Sequence, residues 1–233
     1  IICPVSKPKV SIIVSNFNGI QLGLLQDCVN FLIKPGYRNW ELIVVDNAST
    51  DDSVRYLQKK FKAYNNCFII ENPTNIYSQG LNLGAKKASG KYLAYLNNDT
   101  EITKNYLGNL VKAFEENKKL AITQGKLLNY YKRDIVDSAG ETMDIYGNPV
   151  TLGIGEKDLQ QYNQTDEILS ASGSACMIKK DIFEKIGGYD AYFGIGYEDM
   201  DLALRIRRHG YKIQRFPSAI IYHKRAATDL APF

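Results

Sequence analysis

Cysteine and histidine are scarce in this chain: its 233 residues include four cysteines and two histidines. The cysteines, at positions 3, 28, 67 and 176, show no paired spacing. That excludes zinc-ribbon and thioredoxin-type sites and leaves buried free thiols in a reducing compartment as the expectation, with nothing to motivate disulfides. Long apolar runs are also missing. None approaches the ~18 residues that a membrane span requires, and no charged-then-apolar leader precedes the first strand. The chain opens without Met and closes on Ala-Pro-Phe, so it reads as an excerpt whose flanks are open to membrane segments. Charge of one sign is not concentrated either. The net charge of +4 comes from scattered Lys and Arg, which argues against nucleic acid as a partner and leaves a small anionic ligand compatible. There is no P-loop, no Gly-x-Ser-x-Gly elbow, no internal repeat and no low-complexity tract.

What is present is enough apolar sequence, 45% of residues, for the core of one α/β domain. Strands are predicted over Val10–Ser15, Trp40–Val45, Cys67–Ile70 and Tyr92–Leu96. Between and after them helical spacing runs over Leu22–Leu32, through Leu57 and Phe61, over Tyr77–Ser89 and over Lys104–Asn117. This alternation predicts a mostly parallel central sheet with helices on both faces. Gly80 and Gly84, one turn apart, predict close approach of a helix to a strand or ligand. An apolar segment, Leu120–Leu128, follows. Residues 129–165 show neither period and read as functional loops with short strands. Regularity returns over Ile168–Ile178, in a short helix capped by Asp181, in the helix Tyr197–Gly210, in a final strand over Lys212–Phe216 and in apolar Ala219–Tyr222.

Acidic residues stand at element boundaries: Asp46 after the second strand, Asp99 after the fourth, and Glu198-Asp199 opening the last long helix. In an open α/β sheet ligands bind outside the carboxyl ends of the strands. The stretch Asn97-Asn98-Asp99-Thr100 offers hard oxygen ligands suited to magnesium or manganese holding phosphate oxygens. The same residue types also make ordinary turns and helix caps. A dehydrogenase or methyltransferase would need a Gly-rich turn after the first strand, and SNFNGI stands there instead.

Taken together, VSIIVSNFNG, ELIVVDNASTDDS, YLAYLNNDT, SGSACMIKKDIFEKIGGYD and FGIGYEDMDLALRIRRHGYKI resemble the family 2 glycosyltransferases, within them the rhamnosyltransferase-like branch. The resemblance runs from Val10 to His223. It implies a single GT-A domain over residues 1–233, with a donor-binding half over about 8–128 and a smaller mixed acceptor-binding and catalytic half over about 129–233. It also implies a nucleotide-diphosphate sugar donor (UDP-, dTDP- or GDP-linked), a divalent cation (Mn2+ or Mg2+), inversion at the anomeric carbon and a glycan or lipid-linked acceptor in cell-surface polysaccharide synthesis. The setting would be cytoplasmic, at the membrane face through parts outside this chain.

Residue by residue, the resemblance sets Ser15, Asn16, Asn18 and Asp46 around base and ribose, and Asn75, Gly80 and Asn82 in the segment over the nucleotide. The metal motif falls on Asn97, Asn98 and Asp99. Asn97 replaces the usual first acid, so Asp99 becomes the chief ligand, completed by His223, and the cation leans on the diphosphate. Asp199 becomes the base and Glu198 its neighbour. A helix N-terminus favours the charged carboxylate and so should lower that basicity. Gly173, Ser174, Ala175 and Tyr197 are expected to line the acceptor cleft, and Tyr189, Tyr192 and Phe193 either stack on a sugar or join the core. The rivals are a non-catalytic nucleotide-sugar-binding scaffold of the same fold and a Rossmann-type methyltransferase or dehydrogenase.

Overall fold

A computed structural model describes residues 7–225; Cys3 lies outside them. Strands β1 (Val10–Asn16), β2 (Trp40–Asn47), β3 (Cys67–Asn72) and β4 (Tyr92–Asn97) alternate with helices α1 (Leu25–Leu32), α2 (Ser53–Phe61) and α3 (Tyr77–Lys87). A short β5 (Thr100–Ile102), α4 (Tyr106–Glu116) and the long β6 (Leu120–Asn129) follow. Then come four small strands, β7 (Val136–Ser138), β8 (Glu141–Met143), β9 (Pro149–Thr151) and β10 (Asp166–Glu167). β11 (Ala175–Lys179), α5 (Lys180–Ile186), α6 (Glu198–Arg208) and β12 (Lys212–His223) complete the described chain.

One sheet takes the order β10-β12-β6-β11-β4-β1-β2-β3, with β5 on β12 and β7 on β6. The first four strands pair in parallel, while β11 runs antiparallel between β4 and β6. β1 is buried along its whole length, as a strand covered on both faces must be. Ile12 and Val14 point to the face covered by α1, α2 and α4, and Ile13 to the face covered by α3, α5 and α6. The expected glycine face of α3 packs on strands: a Cβ at Gly80 would lie 2.2 Å from Asn47 Oδ1, and one at Gly84 2.5 Å from Ile13 Cγ2.

Three boundaries differ from those read in the sequence. Residues 20–23 form a turn, with Gly23 at φ 67°, so α1 starts at Leu25. Within Ile168–Ile178, small residues and Gly173 keep the first part irregular, and the strand begins at Ala175. The two last apolar segments form one strand, β12, whose pairing with β6 shifts between Arg215 and Ile220. Pro217, which has no N–H to give, sits in that shift. The irregular region after β6 does hold short strands, and two of its acids turn inward to the site.

Candidate active site

β4 ends at Asn97, and the chain crosses over Asn98 and Asp99 into β5, whose Thr100 pairs with His223 at the end of β12. This register sets His223 beside Asp99. Nε2 of the imidazole lies 3.1 Å from Asp99 Oδ2, and Nδ1 lies 2.8 Å from Asp137 Oδ2 on β7. All three side chains are buried. Both Asp99 oxygens and His223 Nε2 have no hydrogen-bond partner, the 3.1 Å approach being an ion-pair contact without hydrogen-bond geometry. Burial disfavours the charged imidazole, but Asp137 and Asp99 outweigh it and push His223 up to about 9. Buried polar atoms without a hydrogen-bond partner require an explanation, and an oxygen-preferring divalent cation would supply one on displacing the imidazole proton. The donor set therefore fits such an ion. Among the described residues no group of three or more His, Cys, Asp or Glu converges on one point, so side chains of these types there number two, Asp99 and His223. Asp137, with Arg225 Nε 3.2 Å from its other oxygen, holds Nδ1 and leaves Nε2 facing Asp99, the arrangement in which carboxylates stand behind metal-bound histidines. Nothing in the sequence beyond one acid between Val136 and Ser138 pointed to it.

On the other side of β4, the loops after β1 and β2 are tied together. Asn16 Nδ2 donates to Asp46 Oδ1 (2.8 Å), and Asn98 Nδ2 donates to Asn16 Oδ1 (2.8 Å). Asp46 also accepts from the Ser49 amide (3.0 Å) and hydroxyl (2.7 Å), so it shapes its own loop while standing at the strand end. The Asn18 amide donates to Ser49 Oγ, and Asn18 Oδ1 accepts from the Thr50 amide. Ser15 Oγ accepts from Asn47, which accepts from Asn72. Asn18 (φ 48°) and Ala48 (φ 57°) hold left-handed backbone in these two loops, a conformation that non-glycine residues adopt where surrounding structure enforces it. Asn75 is exposed on the loop before α3. The Asn82 amide, however, grips the backbone of Tyr189 from both sides, donating to its carbonyl (2.8 Å) and accepting from its N–H (3.0 Å).

The acidic end of α6 faces Gly173. Asp199 Oδ2 accepts from the Gly173 amide (3.1 Å), and a Cβ on Gly173 would sit 3.3 Å from Glu198 Oε1. A methyl there would press on Glu198 by a few tenths of an ångström. Glu198 is 4% exposed, and its Oε2 has no partner. Burial, with Asp199 beside it, pushes Glu198 up to about 7. Asp199 is raised as well, because burial outweighs the hydrogen bonds from Gly173 and Met200. The lowered basicity expected from the helix start is thus overridden by desolvation. A third acid, Glu141 on β8, feels both of them and is pushed up to about 8, chiefly by burial. Asp201, two positions past Asp199, bonds Arg205 instead (2.6 Å).

The two acidic centres are linked. Tyr77 donates to Asn97 Oδ1 (2.8 Å) and lies 3.3 Å from the Gly173 carbonyl, whose amide holds Asp199. The Asn97 amide donates to the Ser174 carbonyl (3.0 Å). Asn97 is therefore a strut between β4 and the Gly173 turn. Ala175, expected in the acceptor cleft, is corrected by its position: it starts β11 with no exposed surface, and its methyl lies in the core. Ser174 Oγ pairs with Ser172 Oγ (2.8 Å) at the turn. Tyr189 is core, whereas Tyr192, Phe193 and Tyr197 are exposed before α6, Tyr197 at φ 68°.

The profile described as glycosyl transferase family 2 matches residues 11–187, and one described as the N-terminal domain of galactosyltransferase matches residues 156–227. The O-antigen biosynthesis protein RfbC of Myxococcus xanthus is 26% identical over 96% of this chain, which spans 18% of RfbC. The chain likewise spans under half of an uncharacterized glycosyltransferase of Haemophilus influenzae, 29% identical over 61% of the chain. Among solved structures, GalNAc-T7 with UDP, GalNAc and Mn2+ superposes with a TM-score of 0.78 at 20% identity, over 94% of this chain and 44% of that one. These likenesses in structure show a GT-A fold. With a profile match that runs from β1 past α5, over well more than half its length, the chain belongs to glycosyl transferase family 2.

Proposed function

We propose that the protein is an inverting, metal-dependent glycosyltransferase that moves a sugar from a nucleotide-diphosphate donor to a glycan or lipid-linked acceptor in cell-surface polysaccharide synthesis. It would work at the cytoplasmic face of the membrane. One observation carries the reading: the hydrogen-bonded strut Asn97–Tyr77–Gly173 joins the orphaned Asp99/His223 pair to the raised carboxylate of Asp199. In this reading the leaving group is held at one end of the strut and the proton acceptor stands at the other.

In this mechanism the acceptor hydroxyl loses its proton to Asp199, its oxygen bonds the anomeric carbon, and the bond from that carbon to the donor's phosphate oxygen breaks. A single displacement inverts the centre. Asp99 and His223 would hold the cation, which supplies Lewis-acid stabilisation of the departing diphosphate. The Gly173 amide orients Asp199, and burial keeps its basicity usable. Ser15, Asn16, Asn18 and Asp46 present the nucleoside pocket, with Asn75 and Gly80 on the loop and helix beside it. Ser174 and Tyr197 stand nearest the acceptor.

The test is a thermal-shift panel of UDP, dTDP, GDP, NAD and S-adenosylmethionine with and without manganese, followed by transfer assays on the binding nucleotide's sugars. Stabilisation by one nucleoside diphosphate that requires manganese and is lost in Asp99→Ala is the expected result. Stabilisation by NAD or S-adenosylmethionine would overturn the reading. Nucleotide binding with neither transfer nor donor hydrolysis would make the chain a scaffold.

A further inference from the structure

Tyr77 opens α3 and belongs to none of the motifs around the acids. Its side chain is half-buried, and its hydroxyl has one proton to give but two acceptors in reach, Asn97 Oδ1 at 2.8 Å and the Gly173 carbonyl at 3.3 Å. The first stands at the end of β4 and the second in the turn before β11. On the next residue, the Ser78 amide donates to the Gly194 carbonyl (3.0 Å), four residues before Glu198. The first turn of α3 is therefore bonded to the segments on both sides of the acids. Its own seat is firm, because Gly80 and Gly84 let the helix lie directly on Asn47 and Ile13.

From Tyr77 the contacts reach the acids through Gly173. The Gly173 amide donates to Asp199 Oδ2 (3.1 Å), and the next carbonyl, that of Ser174, accepts from the Asn97 amide (3.0 Å). A glycine has no side chain to fix its own backbone. The aim of this N–H thus depends on what holds the turn from outside. We propose that Tyr77 is a positioning residue for the base: its hydroxyl holds the Gly173 turn against Asn97, so that the Gly173 amide stays aimed at Asp199. The inference rests on the glycosyltransferase reading above. Burial, with Glu198 next in effect, pushes the Tyr77 hydroxyl well above its ordinary value, so it remains a donor and takes no part in proton transfer.

The Gly173 hydrogen bond favours the charged form of Asp199. When the turn is released that bond weakens, Asp199 holds its proton to higher pH, and the carboxylate is less well aimed at the acceptor hydroxyl. The other titratable groups facing Asp199 are Glu198 beside it, Glu141 on β8 and Cys176 on β11. Cys176 is pushed up to about 12 by burial and stays neutral. Removing the Tyr77 hydroxyl adds no charge to this group and takes none away.

The experiment compares wild type, Y77F, N97A and the double variant by kcat, donor KM and the pH dependence of kcat/KM. Y77F should lose about tenfold in kcat, the scale of one hydrogen bond, with donor KM near the wild-type value. The rise of kcat/KM that marks ionisation of Asp199 should move to higher pH, a shift that general loosening of the fold would not produce. The double variant should be no slower than the slower single variant, because both substitutions break the same bond. A Y77F enzyme with wild-type kcat and pH profile, or one whose loss lies in donor KM alone, overturns the proposal while leaving the functional reading intact. Losses that multiply in the double variant overturn it too. A wild type that transfers no sugar from any donor overturns the functional reading and the proposal with it. Thermal unfolding of each variant separates a folding defect from these results, and N97A, which keeps the Tyr77 ring, carries the same pH test should Y77F fail to fold.

Discussion

The two ends of the central sheet treat buried acid groups in opposite ways. At the amino end, Glu41 on β2 is 3% exposed and fully partnered: it takes Lys9 Nζ (2.7 Å), Ser11 Oγ (2.5 Å) and the Ser89 amide (2.6 Å) and hydroxyl. Burial there opposes ionisation, but these partners win and hold Glu41 down at about 2. At the carboxyl end, buried Asp99 and Glu198 and half-buried Glu141 carry sealed oxygens that meet nothing, and Glu198 and Glu141 are pushed up instead. The left-handed backbone of Asn18, Ala48 and Tyr197 lies at this end too. Satisfied charge marks the end that holds the fold, and unsatisfied charge gathers at the end where the proposed site lies. Natural proteins keep such unfavourable features where function requires them.

The largest effect should come from the working end. Asp199→Asn keeps an oxygen for the Gly173 amide but cannot take a proton, so kcat should drop by about 10³-fold, within the range of general base catalysis. Nucleotide affinity and thermal stability should stay close to wild type. Transfer at the wild-type rate would show that another group is the base and that the acid cluster serves binding alone.

Next in size is a break at the opposite end. Glu41→Gln leaves Lys9 unpaired and weakens three hydrogen bonds to a charge, which should cost about 2 kcal/mol in urea unfolding. The rate of transfer should hold, because Glu41 lies at the amino end of the sheet. The pH dependence has a definite sign. Glu41 is held below its usual value of 4.5, so its stabilisation is present above that value and is lost as pH falls toward about 2. The variant should show a shallower loss of stability over that acid range. An equal slope in the two proteins would remove Glu41 from the account of the fold.

The fold was legible because its signals are local. β1, β2 and β4 are apolar runs bounded by polar turns, and α6 has acids in its first turn and bases in its last. The places of Asp99 and Asp199 were legible for the same reason, since each sits where an element ends or begins. What stayed hidden depends on pairing between distant segments. Asp137 matters only because β7 lies along β6 while β12 carries His223 to the same edge, and Glu141 only because β8 meets Ser170. Neither contact leaves a period in the sequence. Ala175 and Asn82 have packing roles that their motifs did not announce. Both stand in motif segments, but one methyl falls on the core face of β11 and one amide is taken by the backbone of Tyr189.

The smallest effect sharpens the comparison most, because it predicts a gain. Glu198 is pushed up from 4.5 to about 7, so its contribution to stability is fully present below its unfolded value and is lost as pH rises through about 7. Glu198→Gln keeps the shape and cannot ionise. Above neutral pH it should therefore be more stable than wild type, and below about pH 4.5 the two should coincide. The nominal shift corresponds to about 3 kcal/mol, but Asp199 and Glu141 ionise more readily once one neighbour is neutral, so about 1 kcal/mol is expected. The gain should come with slower transfer, as relief of an unfavourable active-site charge commonly does. Urea unfolding of both proteins across this pH range decides it. A variant less stable than wild type above neutral pH would mean that the buried Glu198 carboxylate is satisfied, and the contrast between the two ends of the sheet would fall with it.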